Sequence, residues 1–172
     1  MKKFYLLIVA IFPVFLATAC HQGGHHSAYA GQENQAIKAL SDEDVQSYLN
    51  GEGMGLAKAA ELNGFPGPKH ILEIKDKLNL TPEQESAVQN SFEQMKSEAV
   101  SLGKKIVEKE KELDKLFSDN GISSEVVATK TREISELQGN LRNVHLRAHL
   151  EMKKTLSSEQ IDIYKKTRGY TN

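Results

Sequence analysis

Apolar residues after Thr81 recur with heptad spacing, Val88, Met95, Leu102 and Leu116 in one set and Phe92, Ala99, Ile106 and Leu113 in the other. Only Lys109 interrupts the repeat, and this period predicts an amphipathic helix running to about Phe117. Asp119-Asn120-Gly121-Ile122 reads as its stop, with Gly121 expected in the left-handed cap conformation and Ile122 folding back on the last turn. A second stripe, Val127, Ile134, Leu137, Leu141, Val144, Ala148 and Met152, predicts a helix from Ser123 or Ser124 to Leu156. Two long helices joined by so short a turn must lie antiparallel, giving a hairpin about 50 Å long. Shorter helices are expected at 42–50, 56–62, 69–78 and 158–168, and no alternating strand pattern bounded by turn residues follows the N-terminal segment.

The helix starts carry their own chemistry. Thr81-Pro82-Glu83-Gln84 is a capping box: the Thr hydroxyl accepts from an orphan N–H, Gln84 reaches back to the Thr amide, and Pro82 has no N–H to leave unsatisfied. Ser157-Ser158-Glu159-Gln160 repeats the device. Leu80 and Leu156 precede the two boxes and can staple each helix start.

At the N-terminus Lys2 and Lys3 precede an apolar run from Phe4 to Leu16, followed by Ala17-Thr18-Ala19-Cys20. Such a run rises only about 20 Å as a helix, too short for a bilayer core of about 30 Å, so residues 1–19 read as an export signal peptide. Cys20 is the single cysteine, which excludes a disulfide framework and a multi-cysteine zinc site. The sequence around it resembles a bacterial lipobox, with Ala17 where a lipobox usually carries Leu. The resemblance implies a lipid on Cys20; with His21 rather than Asp after it, that lipid implies an outer-membrane anchor. Ordinary cleavage after Ala19 or Ala30 is the alternative, leaving a free periplasmic protein. Residues 20–40 are small, polar and Gly-bearing, the composition of a flexible tether that carries His21, His25 and His26, and residues 41–172 form the all-helical domain.

A formal charge of −1, with 26 % charged residues, gives no reason to expect nucleic acid. No nucleophile elbow, HExxH or paired acid motif is present, so an enzyme is not expected and no cofactor is required. Two helices alone rarely bury enough apolar area, and the exposed remainder of the seam predicts a homodimer, a monomer closed by its own short helices being the alternative.

Leu80-Thr81-Pro82-Glu83-Gln84 and Leu156-Ser157-Ser158-Glu159-Gln160 resemble the paired LTxxQ motifs of the Spy/CpxP family of bacterial periplasmic proteins, with Ser for Thr in the second copy. The resemblance covers roughly residues 70–168. It implies a cradle-shaped antiparallel dimer without enzymatic activity. Two roles follow from it: ATP-independent chaperoning or envelope-stress work on unfolded envelope proteins, and heavy-metal sensing or resistance.

For the first role, Arg142, Arg147, Lys153 and Lys154 lie in a local basic surplus that can steer unfolded chains, with Met95 and Met152 as adaptable apolar groups. For the second, His145 and His149 are four apart on one helix and Met152 lies three further on, donors suited to zinc, nickel or copper. Before residue 70 the His-x3-His spacing occurs only as His21 and His25, in the tether and not on an expected helix, so no helical pair completes a sensor-type ligand set; Glu52, Met54, Glu61 and His70 are the donors the domain offers there. The segment 51–68 holds five of the twelve glycines and two of the four prolines. Its Gly51-x-Gly53-x-Gly55 follows no strand and has the wrong spacing for a dinucleotide loop. What this segment binds is not readable from its residues.

Overall fold

The computed structural model describes residues 27–170. The expected signal peptide 1–19, Cys20, and His21, His25 and His26 of the expected tether lie outside the described residues. Residues 27–31 form a turn closed by the Ala30 N–H donating to the Ser27 carbonyl. From Gln32 onward the chain is one compact unit, and no strand occurs among the described residues.

Helix α1 spans Asp42–Leu49, α2 Lys58–Leu62, α3 Pro68–Glu73 and α4 Lys75–Leu78; the long pair is α5, Pro82–Ser118, and α6, Ser124–Thr155, followed by α7, Ser158–Arg168. The hairpin expected from the heptads is present, with α5 packed along α6. Helix α5 starts with the reciprocal box between Thr81 and Gln84, and α7 with the same box between Ser157 and Gln160. The turn between the long helices differs from expectation. Asn120, not Gly121, takes the left-handed conformation at φ 54°, a position that Asn tolerates because its short amide can bond locally. The helix expected over 69–78 is broken at Ile74 (φ −122°, ψ 21°), which divides it into α3 and α4.

Two apolar clusters hold the unit together. At the base of the hairpin, Ile71, Leu78, Val88, Met152, Leu156, Ile161 and Tyr164 are buried together, with Leu80 packed against them. Both leucines of the paired motifs therefore enter one core. Further along, Ala99, Ile106 and Leu141 are buried under Tyr48, Leu56, Leu102 and Leu137. Here α1 crosses α5 at Gly103, where a Cβ would stand 2.0 Å from the Tyr48 carbonyl oxygen. Only glycine permits that approach.

Beyond this crossing the hairpin is zipped by charge. Lys109, the residue that interrupts the heptads, pairs with Glu112 and with Glu133 on α6, while Lys130 pairs with Glu112 on α5. Residues 32–40, expected as tether, contribute a docking point to α5: Ile37 is buried, and Lys38 pairs with Asp114 at 3.1 Å.

Candidate functional site

Segment 51–68 is laid against the long helices as a strap, and the carboxylate of Glu61 fastens it. Glu61 accepts hydrogen bonds from the hydroxyls of Tyr164 and Tyr170 and from the Gly67 N–H at 3.2 Å. His70 Nδ1 lies 3.5 Å away, His149 Nδ1 3.7 Å and Arg168 Nε 3.9 Å. Burial alone would push this carboxyl up, but the bonds from His70, Tyr164 and Tyr170 outweigh it and hold its pKa at about 2. Burial, and then the adjoining Glu61 charge, push the Tyr164 phenol up, so it remains a donor.

The strap is tied at three further points. His149 Nδ1 meets the Phe65 carbonyl at 2.7 Å; a carbonyl can only accept, so Nδ1 carries a proton and donates it. Lys153 Nζ donates to the Gly64 carbonyl at 3.2 Å and sits 5.5 Å from the centre of the Phe65 ring. Gly67 lies so close to the His149 ring that a Cβ there would be 3.0 Å from Cε1 and Nε2.

Between strap and hairpin lies a cleft of about 450 Å³. Gly51, Met54 and Gly55 line it in left-handed conformations, and Met54, at φ 45°, is the strained one. Phe92 and Met95 of α5 and His145 and His149 of α6 form the opposite wall. His145 is 3 % exposed, and its Nε2 has no hydrogen-bond partner among the described residues. Burial, and then the neighbouring His149, push its pKa down, so the ring favours the neutral form.

The two expected ligand histidines therefore share one wall. Met152 is not with them: its side chain is in the basal core and does not line the cleft. No group of three His, Cys, Asp or Glu side chains suited to a metal ion occurs among the described residues. Of the basic residues expected to meet unfolded chains, Arg147 is paired with Glu98 at 2.7 Å and Lys153 is tied to the strap. Arg142 and Lys154 are exposed.

The paired motifs meet directly, a contact that their spacing does not reveal. The Gln84 side-chain amide donates to Gln160 Oε1 at 2.9 Å, and that of Gln160 donates to Gln84 Oε1 at 3.0 Å. Gln84 also donates to the Thr155 carbonyl and Gln160 to the Leu78 carbonyl. Each glutamine thus caps its own helix and locks onto the other's. A family model described as LTXXQ motif family protein matches residues 67–167, a stretch containing both glutamines and the whole hairpin. The chain belongs to the LTXXQ motif family. This is the Spy/CpxP-type family, and the Gln84–Gln160 pair is its motif at work, two helix caps bonded across the base of the hairpin. Neither a curated protein nor a solved structure matches this LTXXQ protein.

Proposed function

We propose that this LTXXQ protein is a periplasmic, ATP-independent chaperone or envelope-stress protein that binds unfolded envelope proteins along the outer face of α6. The observation that carries the reading is a stripe at four-residue spacing: Arg142, Leu146, Leu150 and Lys154. Leu150 is 50 % exposed although it lies on the hairpin's second long helix. Two leucines flanked by two cations suit weak capture of extended chains, since apolar contact supplies affinity and charge supplies steering. The export signal read over residues 1–19 supports the compartment, and acylation of Cys20 would hold the protein at the outer membrane.

Suppression of client aggregation by the purified exported protein tests this. Leu146→Ser/Leu150→Ser should at least halve the protection while the circular dichroism spectrum stays helical, and a chelator should change nothing. Undiminished protection in the double variant would rule out the stripe. Protection that disappears with chelator would instead favour the zinc, nickel or copper reading, for which His145 and His149 are the available donors.

A further inference from the structure

The cleft under the strap has a built interior that client binding along α6 does not use. About 450 Å³ far exceeds the space of a bare metal ion and falls in the range of small-molecule sites. Its walls are largely apolar, with Phe92 and Met95 on one side and Met54 on the other, where a thioether can adapt to what it covers. Buried polar atoms in folded proteins are almost always paired, so the unpartnered Nε2 of His145 marks a place where a hydrogen-bonding group from outside the chain fits. At the strap side and mouth stand Lys58, Lys69 and Lys96, all exposed and in no ion pair among the described residues. The carboxylates on the same lining are Glu52, which is exposed, and Glu61, whose oxygens are already engaged.

We propose that this cleft binds a small amphipathic hydroxy acid, its acid group among the mouth lysines, its apolar body between Met54 and Phe92, and its hydroxyl at His145 Nε2. A hydroxyl both donates and accepts, so it satisfies the imidazole in either neutral tautomer. The acid fits because three cations outside any ion pair, one of them, Lys96, 5.9 Å from the centre of the Phe92 ring, outnumber the one unengaged carboxylate at the lining. The strap's glycines then have a role beyond turning the chain: Gly53 and Gly55 have no heavy atom within 4 Å of where a Cβ would stand, which leaves the cleft open beside them.

The test is fluorescence titration of the exported protein with 6-hydroxy-2-naphthoate, with 2-naphthoate and 2-naphthol as probes lacking the hydroxyl and the acid. Saturable one-to-one binding is expected for the hydroxy acid, weakened at least fivefold for either analogue. Lys69→Glu/Lys96→Glu, both on the surface, should weaken it tenfold or more. His145→Phe should erase the preference for the hydroxyl over 2-naphthoate. If that buried variant loses its helical spectrum, the lysine variant and the three-probe comparison still decide. Absence of saturable binding, or binding indifferent to both the lysine reversal and the hydroxyl, overturns the proposal. So does one-to-one zinc, nickel or copper(I) binding that His145→Ala abolishes while the naphthoates fail to bind. Aggregation suppression is read separately on the α6 stripe, so failure here leaves that reading standing.

Discussion

Glu61 shows how one side chain fastens a glycine-rich segment that has no core of its own. Its pKa, about 2 in the folded chain, lies below the ordinary 4.5, so the unfolded chain takes up a proton first as pH falls. The stabilisation is therefore complete above about pH 4.5, declines between 4.5 and 2, and is gone below 2. A shift of that size corresponds to about 3 kcal/mol. Urea denaturation across this range should show the slope in the wild type and a much shallower one in Glu61→Gln, which should be less stable at pH 7. The glutamine pair allows a second measurement. Gln84→Ala and Gln160→Ala should each cost about 1–3 kcal/mol, because each removes one half of a capping box and leaves one N–H of the other, partly buried amide without its acceptor. The double variant should cost less than the sum, by about 0.5–1.5 kcal/mol in a double-mutant cycle. Residues of this kind were only half legible. The capping role of Gln84 and Gln160 follows from local spacing, whereas their mutual contact spans the hairpin and no local rule encodes it. Glu61 reads in sequence as one of a few donors a metal could use and not as a fastener, since its partners come from α3, α6 and α7.

At the scale of elements, what periodicity and capping determine was recovered. The 3.5-residue stripe and the three-residue box spacing are properties of one helix at a time, which is why α5, α6 and α7 match expectation. Where partners decide, expectation and structure part. Gly103 lies in a helical heptad and looks like a tolerated weakness, yet it is the place where the Tyr48 carbonyl of α1 comes closest to α5. Gly103→Ala should therefore destabilise despite alanine's better helix propensity, by about 1–3 kcal/mol from overpacking. Hydrogen exchange should show α1 losing protection while the centre of α6 keeps it; a stabilised variant with α1 still protected would contradict the close contact. The left-handed Asn120 is a smaller case, in which Asn and Gly stood side by side as possible turn residues and the chain used the first.

For the whole molecule, the short helices and the strap cover the base and middle of the hairpin, residues 32–40 reach along α5 as far as Asp114, and the rest of the far end is left to the two long helices. There Leu113, Leu116, Val126 and Val127 are only partly buried, and Phe117 is exposed. That residue set is the reason to expect a second copy of the chain, and sedimentation at micromolar concentration should give a dimer that Phe117→Ser/Leu116→Ser weakens. A wild-type monomer at that concentration would show instead that the chain's own short helices suffice. The hairpin was legible because its pattern is repeated over many turns, and the cleft was not, because a cavity is made by elements distant in sequence. Site-specific photocross-linking to an unfolded client tests binding along the outer face of α6 most directly. A cross-linker at position 146 or 150 should capture the client strongly, and one at the exposed Ser101 on α5 only weakly. Equal capture from all three positions, or none from 146 and 150, would contradict it.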